Sequence, residues 1–356
     1  MHPYQDLPDH HFWRKAITLT ETHAVDPVIE PRFRVRRDDR IATAGSCFAQ
    51  HIAKRLRKMG VNYFVPESGE WLLPEERRRR GYGVYSARYG NIYTAGQLWQ
   101  LFEEAMGSRP KSEQPWLRSD GRYVDPFRPL VEPDGFATPD DVMAARVEHL
   151  DYVRRVFCES DLFIFTLGLT ESWVSVTSGD IFPLAPGVAA GTYDPESYSF
   201  VNNTVGDVVQ HLGNFLRGIR EVNPTVRVLL TVSPVPMIAT YENRHVLVST
   251  IYCKSVLRVA ADMMLKEFDW VDYFPGYEIS VGNFSLGAYY EDNLRAVRDI
   301  GVSHVMRCFM KHYLSVESDS PVGDDAQKHR GVLPTDDGSE SDDVICDEMM
   351  IEKVSF

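Results

Sequence analysis

The residues best placed to do chemistry are Gly45-Ser46-Cys47, which stand between a short apolar segment and an amphipathic one. Backbone N–H groups and the helix dipole at a helix N-terminus favour negative charge. The Cys47 thiol is therefore expected to have a lowered pKa and to act as a nucleophile, and the same N–H groups could stabilise the oxyanion of acyl transfer. An alternative stays open, in which Ser46 caps the helix and Cys47 is a small buried apolar residue.

The elements on both sides of this turn follow from hydrophobic periodicity. Residues 40–44 read as a short buried strand, and residues 48–59 as a helix. Four apolar side chains then share one helical face, namely Phe48, Ile52, Leu56 and Met59. Gly60 suits the end of that helix, and residues 61–65 are predicted to form the next strand.

Apolar strands and helices alternate along the rest of the chain. The predicted strands are 162–167, 226–232 and 270–274, and the predicted helices lie near 95–106, 140–158, 204–220, 250–268 and 301–314. Loop-rich excursions are expected at 107–140 and 177–202. This alternation indicates an α/β protein with a parallel sheet covered on both faces.

Polar residues follow three of the predicted strands directly. They are Gly45-Ser46-Cys47, Gly168-Leu169-Thr170-Glu171 and Ser233-Pro234-Val235-Pro236. Ligands of parallel α/β sheets bind beyond the carboxyl ends of the strands. The sequence therefore predicts a functional site where these three segments meet.

The segment Gly45-Ser46-Cys47-Phe48-Ala49 resembles the signature that names the GSCFA family. Further segments in the same order also resemble blocks of that family: 89–94, 166–173, 182–188, 231–236, 254–258 and 273–279. Together they cover roughly residues 40–312. The family looks like a divergent branch of the SGNH (GDSL-like) hydrolases, which implies a flavodoxin-like three-layer α/β/α fold.

Alignment with the SGNH pattern implies roles for individual residues. Cys47 falls where the esterase serine stands, and a shift of one residue would make Ser46 the nucleophile. Gly90 and Asn91 resemble one oxyanion-hole segment, and Gly168 with Thr170 resembles the other. The neighbouring Glu171 could orient a base or bind substrate, or it could hold an adjacent loop.

The general base is the point where the resemblance fails. SGNH enzymes carry Asp-x-x-His before the last helix, whereas this chain has Asp292 followed by Arg295 at the histidine position. His245, after the third polar segment, and His304, in the last helix, are the candidate substitutes. His51 is a weaker candidate, four residues from Cys47 and on the same helix.

The resemblance implies an esterase or O-acyltransferase that acts on a small-molecule or carbohydrate ester, or on another hydroxylated substrate. The alternative is a non-catalytic binding or scaffold protein built on a degenerate SGNH fold, which the missing histidine favours. No metal-ligand spacing and no phosphate-binding glycine motif occurs, so neither metal nor cofactor is expected.

The net charge of −13 is mostly local, because residues 317–353 hold 12 acidic and three basic residues. No clustered basic excess suggests nucleic-acid binding. The chain shows no membrane span and no signal peptide, and its five scattered cysteines suggest a reducing cytoplasm. The oligomeric state stays open.

Four regions are expected along the chain. They are an N-terminal extension (1–38), the α/β domain (39–314), an acidic disordered linker (315–343) and a C-terminal docking segment (344–356). The last region is expected to dock because it ends the polar linker with apolar residues such as Val344, Ile345 and Met349.

Overall fold

A computed structural model describes residues 2–110, 114–315, 344 and 346–355. The expected linker therefore lies, from residue 316 onwards, outside the described residues. We refer to residues 346–355 as the C-terminal segment. The central architecture is a four-stranded parallel sheet with helices on both faces, which confirms the three-layer α/β/α fold.

The strands, in chain order, are β1 (Ile41–Gly45), β2 (Trp116–Leu117), β3 (Tyr123–Val124), β4 (Leu162–Leu167), β5 (Glu171–Ser175), β6 (Ile181–Phe182), β7 (Tyr198–Asn202), β8 (Arg227–Val232) and β9 (Val271–Tyr273). The α-helices are α1 (Phe48–Lys58), α2 (Pro74–Arg79), α3 (Ala95–Ala105), α4 (Pro139–Glu159), α5 (Val205–Val222), α6 (Val246–Glu267), α7 (Gly276–Val281), α8 (Asp299–Tyr313) and α9 (Met349–Ser355). Short 3-10 helices occupy Asp9–His11, Thr22–Ala24 and Asn283–Ser285, and a π-helix occupies Arg14–Thr18.

The parallel sheet has the order β1-β4-β8-β9. Its register places Gly45 opposite Thr166, and Thr166 opposite Thr231, so the first three strands end side by side. The predicted strand at 61–65 is wrong as a strand. Only Tyr63 forms a bridge, to Ile41 on the outer edge of β1, which is where the second strand of a flavodoxin-like sheet lies.

Side chains of the central strands alternate between two cores, as the pleat requires. Phe163 and Phe165 of β4 pack in the core on the side of α3, α4, α5 and α6. Ile164, between them, packs in the opposite core with residues of α1, α7 and α8. The near-continuous apolar strands are thus explained by burial of both sheet faces.

The prediction of a loop at 177–202 is wrong in part, because this region contributes strands to a second sheet. Strands β6, β5 and β7 form an antiparallel sheet in which Trp173 lies opposite Phe182 and Phe200. The excursion at 107–140 likewise contains the small β2–β3 hairpin. The sequence does not predict these strands, because they are short and most lie in segments whose composition is typical of loops.

Candidate functional site

The turn from β1 to α1 requires a glycine for a steric reason. Gly45 has φ +136°, and a Cβ there would lie 2.4 Å from the carbonyl oxygen of Thr166. The next residue continues this close approach, because the Ser46 backbone N–H donates to the same oxygen at 3.2 Å. Cys47 then stands immediately before α1 and is 5% exposed. The sheet therefore fixes the position of the thiol.

Asn91 is a second buried polar residue at this edge of the sheet. Its Oδ1 accepts hydrogen bonds from the Tyr85 hydroxyl and, at 3.3 Å, from Gln50 Nε2. Tyr85 also donates to the carbonyl of Ser46 at 3.3 Å. The amide oxygen is thus an acceptor in two hydrogen bonds, and the amide nitrogen is the donor side of the group.

Arg295 reaches the same site from the loop before α8. Asn293 Oδ1 accepts the backbone N–H groups of Arg295 and Ala296, each at 2.9 Å. Leu294, between them, has φ +55°, an uncommon conformation for a branched residue and one that often marks functional loops. The guanidinium is anchored by Nε, which donates to the Pro236 carbonyl at 3.1 Å.

The C-terminal segment fills the space between these residues. Nη2 of Arg295 donates to Glu348 Oε2 at 2.6 Å and to Cys346 Sγ at 3.5 Å. The Cys346 thiol is also hydrogen-bonded to the thiol of Cys47. The side chains of Asp347 and Glu348 are buried, whereas Met349 is exposed. The two most buried of the described side chains in this segment are therefore acidic, whereas its contacts were expected to be apolar.

The Asp347 carboxyl group occupies the position next to Asn91. It accepts hydrogen bonds from the Asn91 side-chain amide and from the Asn91 backbone N–H. Burial raises the pKa of Asp347 to about 7, and these two hydrogen bonds oppose the rise. A carboxyl group of the chain itself is thus bound where the family resemblance implies an oxyanion hole.

Lys254 contributes a second positive charge beneath the C-terminal segment. Its Nζ donates to the Gly168 carbonyl at 2.8 Å, and the side chain is almost fully buried. Burial lowers the pKa of Lys254, while the charges of Cys253 and Glu348 act in the opposite direction. Burial raises the pKa of Glu348 to about 8, since desolvation outweighs the attraction of Arg295 and Lys254.

The two thiols have opposite pKa shifts, which corrects the expectation for Cys47. The hydrogen bond with Cys346, followed by burial, raises the pKa of Cys47 well above its usual value. The same hydrogen bond lowers the pKa of Cys346 to about 5, and the charge of Arg295 adds to this effect. The expected lowering by the helix N-terminus is outweighed because a neighbouring thiolate repels a second negative charge.

The second predicted oxyanion segment is already used in structural hydrogen bonds. The Gly168 N–H donates to the Tyr93 carbonyl at 3.0 Å, and a Cβ at Gly168 would lie 2.8 Å from the Ser46 Cβ. Thr170 Oγ1 donates to Asn202 Oδ1 at 2.8 Å. Gly168 therefore lies beside the site as a tightly packed residue, and the Thr170 hydroxyl is engaged away from it.

Two of the remaining predicted site residues, Glu171 and Gly90, have structural contacts. Glu171 accepts hydrogen bonds from the Thr240 hydroxyl at 2.6 Å and from the Tyr241 N–H at 3.2 Å, so it holds a neighbouring loop. Gly90 has φ +69° and packs against Arg128. The Ser46 hydroxyl is buried, without a hydrogen-bond partner among the described residues.

The three candidate histidines lie in environments that explain them structurally. His245 is exposed and caps α6, its Nδ1 accepting the Leu247 N–H at 3.2 Å. His304 is buried, with the Tyr289 hydroxyl at 2.6 Å from Nδ1 and the Val25 carbonyl at 2.7 Å from Nε2. Burial lowers the pKa of His51 to about 4. Among the described hydrogen bonds, none joins a histidine to Cys47.

A family model described as the GSCFA family matches residues 40–309, about three quarters of the chain. The chain belongs to the GSCFA family. The matched region of this GSCFA protein contains the turn at Cys47, Asn91, Lys254 and Arg295, but it ends before the C-terminal segment. Among curated proteins, none matches the chain significantly.

Two negative findings apply to the described part of the GSCFA chain. None of its helices combines the length and hydropathy needed to cross a bilayer. No group of three or more histidine, cysteine, aspartate or glutamate side chains in that part is arranged to hold a metal ion.

Sequence reasoning missed the contribution of three groups to this site. From the sequence, Arg295 is only the residue at the expected histidine position, whereas in the structure it contacts the C-terminal segment directly. The sequence marks Lys254 only as part of a segment that resembles the family. The acidic pair Asp347 and Glu348 follows a cysteine, and this Cys-Asp-Glu sequence at the end of a long polar stretch was the available signal.

Proposed function

We propose that this GSCFA protein is an acyl-transfer enzyme, an esterase or O-acyltransferase, with Cys47 as the nucleophile. The observation that carries the proposal is the pair of hydrogen bonds from Asn91 to the Asp347 carboxyl group beside Cys47. A carboxylate oxygen resembles the negative oxygen of a tetrahedral intermediate in charge and in its need for N–H donors. Asp347 thus marks the place where an oxyanion would be stabilised.

The nucleophile is activated in this proposal without a histidine base. Cys346 and Glu348 both raise the pKa of Cys47, and both leave with the C-terminal segment. Arg295 lowers that pKa and remains with the body, as does the N-terminus of α1. Departure of the segment would therefore lower the pKa of Cys47 and increase its thiolate fraction, because Cys346 and Glu348 no longer oppose the charge of Arg295.

The reaction follows from this arrangement. The Cys47 thiolate attacks the carbonyl carbon of an ester, forming a carbon–sulfur bond while the carbonyl oxygen becomes negative and is bound by Asn91. Collapse of this intermediate breaks the carbon–oxygen bond, and the released alkoxide takes a proton from water. Water or a hydroxyl group of a second substrate then attacks the acyl group on Cys47, the hydroxide left by the first step takes its proton, and breakage of the carbon–sulfur bond releases Cys47 as a thiolate.

A second function is favoured by two particular observations. Among the described residues no histidine is hydrogen-bonded to Cys47, and the chain itself fills the site. Both suit a non-catalytic binding protein that exchanges its C-terminal segment for a partner. The two functions differ in whether a covalent acyl group ever forms on Cys47.

Covalent trapping distinguishes them. The full chain is incubated with 4-nitrophenyl acetate, digested and examined by mass spectrometry. In a full-length variant with Cys346→Ser, Asp347→Asn and Glu348→Gln, which lacks the contacts that hold the segment over Cys47, we expect one acetyl group on Cys47 and a loss of labelling when Cys47→Ala is added. Acetylation of no cysteine in this variant, or equal acetylation of Cys158, would contradict the proposed nucleophile.

Asn91→Ala provides the mechanistic variant for the same assay. Loss of an oxyanion donor lowers a rate by roughly 10²–10³-fold, so acetylation of Cys47 should slow by about this factor. Asn223→Ala is the matched control, because Asn223 is also buried but donates to carbonyls of Phe157 and Ser160, before the start of β4. An equal slowing in both variants would indicate general destabilisation.

A further inference from the structure

Arg295 and Lys254 are two buried or half-buried cations that are fixed by the body of the protein. Arg295 donates through Nε to the Pro236 carbonyl at 3.1 Å, and Lys254 donates to the Gly168 carbonyl at 2.8 Å. Neither of these anchoring bonds involves the C-terminal segment. Both cations would therefore keep their positions when the segment leaves, and they would then need a negatively charged partner.

The partner present in the structure is Glu348. Its carboxyl group accepts a charge-assisted hydrogen bond from Arg295 at 2.6 Å, and both side chains are largely screened from solvent, at 8% and 18% exposure. Glu348 also interacts electrostatically with Lys254. This pairing takes place next to Cys346 and Cys47, within the same site that holds Asp347 against Asn91.

We propose that Arg295, supported by Lys254, forms a subsite for a carboxylate of the substrate, and that Glu348 is an internal ligand which substrate must displace. The substrate of this subsite would therefore be an acyl compound that also carries a carboxylate. The geometry supplies two contacts for such a molecule, one at Asn91 for the reacting carbonyl and one at Arg295 for the anion. This assignment rests on the proposed function, since it concerns the substrate of the same site.

The chemistry of the contact favours a carboxylate over a neutral polar group. A guanidinium donates charge-assisted hydrogen bonds, which are about twice as strong as neutral ones. A neutral ligand in the site would leave the guanidinium desolvated and without an anionic acceptor, and this lowers the affinity for that ligand. Discrimination against a neutral analogue should therefore reach at least about tenfold.

Binding is measured by titration calorimetry with two probes that share a chain length and a methyl ester. Monomethyl glutarate carries a carboxylate at the other end, and dimethyl glutarate does not. In Glu348→Gln, we expect the anionic probe to bind at least about tenfold more tightly than in the unchanged chain, and at least about tenfold more tightly than the neutral probe. Glu352→Gln is the matched control, because Glu352 is an exposed glutamate of the same segment.

Adding Arg295→Gln to Glu348→Gln should abolish the preference for the anionic probe. The C-terminal segment could stay bound after Glu348→Gln alone and cover the subsite. A triple variant with Cys346→Ser, Asp347→Asn and Glu348→Gln therefore removes the contacts of all three side chains with the body of the protein. Equal affinity for both probes in this triple variant, or no binding of either, would overturn the subsite.

These measurements need no turnover, so they separate the subsite from the proposed function. Selective binding of monomethyl glutarate without any acyl group on Cys47 would support the subsite and contradict the enzyme. Acylation of Cys47 at equal rates by neutral and anionic 4-nitrophenyl esters in the triple variant would support the enzyme and contradict the subsite.

Discussion

The contact between the thiols of Cys47 and Cys346 makes a prediction about reactivity that can be worked through in numbers. With a pKa of about 5, Cys346 is about 99% thiolate at pH 7, against roughly 3% for an ordinary thiol of pKa about 8.5. The gain in thiolate is thus about 30-fold. A thiolate of lower basicity is also a weaker nucleophile, and with a Brønsted coefficient of about 0.45 the loss is again about 30- to 40-fold.

The two effects nearly cancel at pH 7, so the absolute rate of alkylation there is uninformative. At pH 6 the ordinary thiol is only about 0.3% ionised, and Cys346 should react roughly tenfold faster than such a thiol. The decisive quantity is therefore the midpoint of the rate profile between pH 4.5 and 9.5. It is measured with iodoacetamide on the full chain, each cysteine being quantified by mass spectrometry.

We expect a midpoint near pH 5 for Cys346, and a midpoint more than about one unit higher in Cys47→Ala, because the hydrogen bond from Cys47 is the largest cause of the lowered pKa. Cys158 is the internal control, since burial raises the pKa of that partly exposed thiol. A midpoint of 8 to 9 for Cys346 in the unchanged chain would refute the reasoning, as would a midpoint that does not respond to Cys47→Ala.

Two further predictions concern backbone packing and pH. Gly45→Ala should lower the free energy of unfolding, measured in urea, by more than about 3 kcal/mol, because the added Cβ would lie 2.4 Å from the Thr166 carbonyl oxygen. Gly60→Ala, at φ +66° with no atom within 4 Å of the added Cβ, should lower it by only about 1 kcal/mol. Equal losses in the two variants would contradict the steric explanation. In a Cys346→Ser background, which removes both the opposing shift of the thiol and its contribution to the two carboxyl pKa values, docking of the C-terminal segment should weaken as pH rises above about 4.5, because burial, the largest cause of the raised pKa of Asp347 and of Glu348, is unchanged and the docked carboxyl groups hold protons that the free ones release. Hydrogen exchange of the amides of 346–352, corrected for the intrinsic rate at each pH, measures this, and protection that increases with pH would be the opposite of the expected sign.

Strong periodicity made the central elements predictable. The helices α3, α4 and α5 begin and end within two residues of their expected bounds, and β4 has the expected bounds. Local patterns suffice to predict these elements, because the spacing of apolar residues in each segment shows whether one helix face or both strand faces are buried.

Residues 61–65 show the limit of this approach. Their composition suits a strand, yet only Tyr63 pairs with Ile41, because strand pairing depends on what lies across from the segment. The sequence does not predict the strands β5, β6 and β7, because they lack the continuous apolar run of central strands that are buried on both faces. Their pairing is stabilised by contacts between distant residues such as Trp173 and Phe200.

For the site, the sequence by itself determined the strand-to-helix turn at Cys47 and the arginine at the expected histidine position, and the family resemblance implied Asn91 as a candidate oxyanion residue. Tertiary structure alone decided that Arg295 meets Glu348 and that Cys47 meets Cys346, because these pairs are separated by 53 and 299 positions in the chain. Charge and pKa depend on distances through space rather than along the sequence. A thiol that local reasoning assigns a lowered pKa can therefore have a raised one when another segment of the chain brings a second thiol beside it.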